Sequence, residues 1–210
     1  MNRRMLLWWG VGSLVVATAI GAAVVFGLSE PPGFDVWWNT TIAAVRTEGM
    51  LTFALALNAI GGGWIAILAV PLLVILSLVI ARRWRAAVFA ALCFTASAGA
   101  VQLLKHLFGR ARPDDMLVAS DFGSFPSGHT ANAATIAIVL WIVFPRAWVA
   151  LVGVAWMIAM ALSRTLLSVH WATDTFGGAL VGAGTALVLA AWLLPWVQRR
   201  HQATVDPALG

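Results

Sequence analysis

Six stretches of this chain carry no charged residue and are each of the length that crosses a lipid bilayer: 5–29, 49–81, 86–104, 122–145, 147–163 and 175–198. A spanning helix needs roughly 20 apolar residues, because the hydrocarbon core is about 30 Å thick and each residue rises about 1.5 Å. A transmembrane barrel needs strands that alternate in polarity, and runs such as Ile65-Ala66-Ile67-Leu68-Ala69-Val70 are apolar on every side. The pattern predicts an all-α polytopic membrane protein. Its expected form is a bundle of six transmembrane helices plus a short outer interfacial helix.

Composition agrees, with 61% apolar and 10% charged residues against about 45–50% and about 25% in soluble domains. It excludes an ordinary water-soluble fold, a disordered chain and a disulfide scaffold, since the single cysteine, Cys93, lies inside an apolar run. The net charge of +5 comes from short arginine clusters between the spans. That placement does not resemble a nucleic-acid footprint, and no nucleic-acid partner is expected.

Charge bias gives an orientation. With six spans and both termini in the cytoplasm, Arg3, Arg4, Arg82, Arg83, Arg85, Arg146, Arg199 and Arg200 lie inside. All acids except Asp206 then face out, as the positive-inside rule favours. Counting 49–81 twice would put Arg82-Arg83-Trp84-Arg85 outside, so that stretch counts once, with Gly61-Gly62-Gly63 and Pro71 available to bend it. Trp8, Trp9, Trp84, Trp148, Trp192 and Trp196 fall at one expected interface and Trp37, Trp38 and Trp171 at the other, as an aromatic belt does. The first span follows Arg3-Arg4 as a signal peptide would, but it is longer than an h-region and offers no small-residue cleavage site, so retention is expected. After Pro31-Pro32-Gly33, Phe34, Trp37, Trp38, Ile42 and Val45 recur at helical spacing with Asp35, Asn39 and Arg46 opposite. This pattern predicts a short helix lying in the outer headgroup layer. One domain over 1–200 and a cytoplasmic tail over 201–210 complete the expected organisation, in the cytoplasmic membrane.

The polar residues that loops do not explain fall in three blocks. Lys105 to Pro113 ends the third span, Pro126-Ser127-Gly128-His129 opens the fourth, and Ser163-Arg164 closes the fifth ahead of His170 and Asp174. All three meet at the outer surface of a six-span bundle, where ionisable groups are costly and therefore suggest function. The set suits a phosphate ester. Lys105, Arg112 and Arg164 supply charge and directed donors for nonbridging oxygens. Ser127 adds a hydroxyl, and the Gly128 N–H lies at a helix start, where the dipole favours anions. His170 and Asp174 are four apart, so a carboxylate could accept from one imidazole nitrogen and leave the other as nucleophile. His129, from another segment, could protonate the leaving oxygen.

Lys105-x6-Arg112-Pro113, Pro126-Ser127-Gly128-His129 and Ser163-Arg164-x5-His170-x3-Asp174 together resemble the three signature blocks of the type-2 phosphatidate phosphatase superfamily. That superfamily includes membrane lipid phosphatases, bacterial undecaprenyl-diphosphate phosphatases, glucose-6-phosphatase and vanadium haloperoxidases. The resemblance implies two-step phosphoryl transfer without a metal or other cofactor. His170 would form a phosphohistidine, Asp174 would hold its ring, and His129 would act as general acid. Lys105, Arg112, Ser127, Gly128 and Arg164 would bind the phosphate. The implied substrate is a membrane lipid phosphate: undecaprenyl diphosphate by likeness to small bacterial members, with phosphatidate and phosphatidylglycerol phosphate as alternatives. Two other functions fit the same residues, a lipid phosphotransferase and a non-catalytic polyprenyl-lipid carrier, although the carrier gives no reason for a His-x3-Asp pair. The oligomeric state is left open.

Other polar or small residues read as structural. Arg110 lies in the spacer of its motif and reads as a snorkelling cation at a helix end. Asp114, Asp115 and Asp121 read as solvated loop acids, and His106 as interfacial. Asn58 and Asn132 read as helix-to-helix hydrogen bonders. Ser97, Gly99, Gly177, Gly178, Gly182 and Gly184 read as close-packing positions.

Overall fold

The computed structural model describes residues 2–27, 30–61 and 69–198. Among them the chain forms eight helices and no strand: α1 (Arg3–Phe26), α2 (Gly33–Val45), α3 (Glu48–Gly61), α4 (Val70–Ile80), α5 (Trp84–Phe108), α6 (Gly128–Val143), α7 (Ala147–Leu166) and α8 (Ala172–Gln198). Helices α1, α5, α7 and α8 are long and apolar enough to cross a membrane, whereas α3, α4 and α6 are shorter apolar helices. The stretch 49–81 holds two helices where one span was expected. The bend suggested at Gly62-Gly63 and the 201–210 tail fall outside the described residues, while Pro71 sits in the first turn of α4, where its missing N–H leaves no bond unmade.

The start of α3 packs through Met50, Leu51 and Ala54 on Leu166 and Leu167 at the end of α7, whereas α4 ends at Ile80, with residues 81–83 between it and the start of α5 at Trp84. The fourth span also starts later than expected. Residues 122–127 are irregular, and α6 begins at Gly128 behind an N-cap in which Ser127 accepts from the Thr130 N–H.

Helix α8 is central and packs against α1, α6 and α5. Small residues allow this. A methyl group on Gly182 would strike the Ala131 carbonyl, and one on Gly178 would strike the Ser127 carbonyl, so the backbone of α8 lies directly on the first turn of α6. Gly10 and Gly184 face each other in the same way between α1 and α8. Gly99 does not follow this pattern: a Cβ there would meet nothing within 4 Å, and the residue lines a cavity.

Two ends of the bundle differ chemically. At one end Arg83 lies 4.7 Å over the Phe144 ring, Arg85 donates to the Trp196 carbonyl, and Trp84 and Trp196 meet edge to face at 5.3 Å. At the other end lie the C-termini of α5 and α7, the N-termini of α6 and α8, and helix α2. Lipid-type side chains such as Trp8, Leu76, Leu151 and Trp192 are exposed along the sides, while Asp35, Lys105, Arg110, Arg164, His170 and Asp174 are buried. Charge is inside and hydrocarbon outside, the reverse of a soluble protein, so the chain is a membrane protein.

Candidate active site

The three sequence blocks converge at the end that holds α2. Lys105 sits in the last turn of α5, which stops at Gly109 in the left-handed conformation (φ 55°), a position glycine adopts without a Cβ penalty. Burial of the lysine is offset by three acceptors: Gly123 O at 2.7 Å, Asp121 Oδ1 at 3.1 Å and Phe122 O at 3.3 Å. Arg112 donates from Nη2 to the same Asp121 Oδ1 at 2.7 Å and to Gly123 O at 2.9 Å, and from Nη1 to Val169 O. Its Nη1 also lies 3.4 Å from His170 Nε2. Arg164 ends α7, fully buried, with Nη1 donating to Asn58 Oδ1 at 2.8 Å.

His170 lies in the short turn between α7 and α8, with Nδ1 facing Asp174 Oδ2 at 3.5 Å. Burial pushes the imidazole below its ordinary value, against the pull of Asp174, so the neutral ring is favoured. Asp174 is held on both sides. Oδ2 accepts from the Trp171 N–H at 2.8 Å, and Oδ1 accepts from Arg110 Nη1. Among the described residues, His129 Nε2, Arg164 Nη2 and His170 Nδ1 are buried without a hydrogen-bond partner. His170 Nδ1 has only the long 3.5 Å contact with Asp174, and the two nitrogens with no partner at all, on His129 and Arg164, are costly for the fold alone.

A cavity of about 690 Å³ joins these groups, walled at one end by Lys105, Gly128, His129, Arg164, His170 and Asp121. From Lys105 its wall continues along one face of α5 through Gln102, Val101, Ala98, Ser97 and Phe94. The eleven helical rises from Phe94 to Lys105 give that face a length of roughly 16 Å. Arg112 and Asp174 stand just behind the wall, each against His170. Ser127 is fully buried and does not line the cavity. Its hydroxyl oxygen accepts from the Thr130 hydroxyl at 3.2 Å as well as capping α6.

Several structural readings change here. Arg110 is no snorkelling cation: it is buried between Asp174 and Asp35, with Nη2 2.7 Å from Asp35 Oδ2. Asp121 bridges Lys105 and Arg112, and Asp115 accepts from Ser168 at 2.8 Å and Asn39 at 3.0 Å; Asp114 alone of the three is simply exposed. Asn58 does make a helix-to-helix bond, with Arg164 as its partner. Asp35 was missed. Its position opposite the aromatic stripe of α2 marked a polar face, and that face turns to the protein.

The arrangement is a buried imidazole against a carboxylate, a second imidazole across a cavity, and three cations around them. Residues 86–198 match the PAP2 superfamily, and the chain belongs to that family. It is 35% identical over 153 residues to a decaprenylphosphoryl-5-phosphoribose phosphatase of Mycobacterium tuberculosis, covering 70% of this chain and 82% of that protein. A lipid A 1-phosphatase of Rhizobium johnstonii is 32% identical over 99 residues, which cover 42% of this chain and only 40% of that protein. The fold is shared with a transmembrane PAP2-type phosphatidylglycerolphosphate phosphatase from Bacillus subtilis, at a TM-score of 0.76 and 20% identity, covering 94% of this chain and 99% of that one.

Proposed function

We propose that this chain is a membrane phosphatase that hydrolyses a lipid phosphate through a phosphohistidine on His170. The observation that carries the reading is the single cavity in which His170, His129, Lys105 and Arg164 meet an apolar wall along α5. Charge at one end suits a headgroup and the apolar face suits a hydrocarbon chain. His170 Nε2 attacks phosphorus and the bond to the leaving oxygen breaks, while His129 supplies the proton that oxygen needs. Water then attacks phosphorus and gives a proton to His129, and the N–P bond breaks to free phosphate and restore His170. Lys105, Arg112 and Arg164, with the Gly128 N–H, hold the nonbridging oxygens, and donors of this kind contribute about 2.7–4 kcal/mol each at comparable oxyanion sites. Asp174 holds the His170 ring, and Ser127 serves through the α6 cap.

An isoprenoid diphosphate is the proposed substrate, cleaved to the lipid monophosphate. The similarity to a phosphatase that acts on a decaprenylphosphoryl compound supports this class. Family membership favours hydrolysis over the carrier reading. The domain is proposed to cover 1–200 with six crossings, α3 and α4 forming one of them and α2 lying at the outer surface. Arginine bias then puts the site at the extracytoplasmic face of the cytoplasmic membrane.

The test uses purified protein in detergent with EDTA, given undecaprenyl diphosphate, phosphatidate and phosphatidylglycerol phosphate. Phosphate release from the first, abolished in His170→Ala, and acid-labile label retained on the wild-type protein after a quench are expected. No release from any of the three, or wild type indistinguishable from His170→Ala, overturns the reading.

A further inference from the structure

We infer that Asp35, on the interfacial helix α2, is a positioning residue for the reaction, acting through Arg110 on the Asp174–His170 pair. The inference rests on the proposed role of His170. Asp35 is 75 residues from Arg110 in sequence and lies outside the three motif blocks, yet it is fully buried. Its two oxygens are fully engaged. Oδ1 accepts the Thr173 N–H at 2.9 Å, and Oδ2 accepts the Thr173 hydroxyl at 2.6 Å and Arg110 Nη2 at 2.7 Å. Arg110 uses its other terminal nitrogen for Asp174 Oδ1 and for Thr173 Oγ1 at 2.8 Å, and its guanidinium sits 5.6 Å from the Trp171 ring.

One planar cation therefore spans two buried carboxylates, and both geometry and charge matter. The fork fixes Asp174 from the side away from His170, leaving Oδ2 to the Trp171 N–H and the imidazole. Asp35 also divides the positive charge of Arg110. Without it, Asp174 takes the whole of that charge and becomes a weaker acceptor for His170 Nδ1–H. Stability alone is a poor reason for the cluster, because buried ion pairs seldom beat well-packed apolar groups. Orientation of a reacting imidazole through its outer partner is a better one, and loss of the analogous outer partners of metal-bound histidines costs on the order of 10–100-fold. The charged and titratable groups facing His170 are Asp174 on α8, Arg112 from the 109–127 loop, Lys105 on α5 and His129 on α6, so the effect must be read against an unchanged set.

The experiment compares Asp35→Asn, Arg110→Lys and the double variant with wild type and His170→Ala in detergent, each checked for monodispersity and vanadate binding. Asp35→Asn keeps the side-chain size and an acceptor for the Thr173 N–H. Expected is a fall in kcat of about tenfold or more with KM within about twofold, and an acidic limb of the pH profile displaced to lower pH. In the Arg110→Lys background, which keeps the charge and loses the fork, Asp35→Asn should add less than half of its single effect on a logarithmic scale. A kcat and pH profile unchanged by Asp35→Asn, or effects of the two substitutions that simply multiply, overturn the inference. If His170→Ala matches wild type, the proposed function itself fails, which is a separate result. Should Asp35→Asn not yield monodisperse protein, Asp35→Glu is measured instead, with the same split between kcat and KM required.

Discussion

Replacing Asp121 by asparagine should improve substrate binding. The carboxylate accepts from Lys105 Nζ at 3.1 Å and from Arg112 Nη2 at 2.7 Å, so it occupies two of the cations proposed for phosphate. It lines the same cavity as His129 and His170, and its side chain is 62% exposed, against 4% for Lys105 and 8% for Arg112. An exposed acid thus competes with the incoming anion for two well-held cations. Exposed ion pairs are worth about 0.2–1 kcal/mol each, and here screening acts on one partner only, which puts each contact near the top of that range. Displacing both costs about 1–2 kcal/mol, or about 5- to 30-fold in apparent affinity. Asp121→Asn removes the competing charge while the cations keep their backbone acceptors, Gly123 O and Phe122 O for Lys105 and Gly123 O and Val169 O for Arg112. The expected outcome is a KM lowered by that factor with kcat nearly constant, and a matching fall in the inhibition constants of phosphate and vanadate. An unchanged or raised KM would refute the reasoning, because it would mean that Asp121 places the cations instead of occupying them.

Two more outcomes follow from the same geometry. Burial keeps His170 below its ordinary value, so the neutral nucleophile persists as pH falls and kcat/KM is lost only below about 6.5. A profile from pH 4 to 9 whose acidic limb lies at or above that value would contradict it. Gly182→Ala should lower the detergent melting temperature by at least the equivalent of about 1–3 kcal/mol, because its methyl meets backbone that has no room to yield. Gly99→Ala, facing open space, should leave the melting temperature unchanged or raise it by helix propensity; equal losses at both positions would sink the packing argument.

Hydropathy made the long helices legible because a spanning segment must satisfy its own backbone and show an apolar surface. It could not divide 49–81, since that stretch carries no charge and its Gly61-Gly62-Gly63 run and Pro71 suit a bend in one helix as well as a break between two. The start of α6 was legible only from Pro126 and Ser127, where cap chemistry, not hydropathy, ends the irregular segment. Motif spacing brought His170, Asp174, His129, Lys105 and Arg164 together, because Lys105, His129, Arg164 and Asp174 sit in terminal turns of their helices and His170 lies in the turn that joins α7 to α8. Asp35 and Arg110 obey no short-range rule. Their contact depends on how α2 lies over α8, and the clue was the polarity of α2 itself. Phe34 and Trp37 on the aromatic side of α2 are exposed, while Asp35 on its polar side is fully buried against Arg110 and Thr173.

Helix ends explain why the anion would bind where it does. Lys105 and Arg164 each lie in the last turn of their helices, α5 and α7, where the carbonyl-rich terminus favours a cation. Asp174 lies in the first turn of α8, and Asp35 accepts the Thr173 N–H of that turn, so the positive end of α8 already has its negative charges. Helix α6 has none in its first turn. Its N-terminus opens on the cavity at Gly128 and His129, between two cations placed by the opposite ends of their own helices. A phosphate entering from the apolar wall therefore meets one uncompensated positive terminus, and His170 stands beside it with its acceptor nitrogen turned toward Arg112. On the proposed mechanism, binding and attack would draw on the same four helix ends, contributed by segments nearly 70 residues apart in sequence.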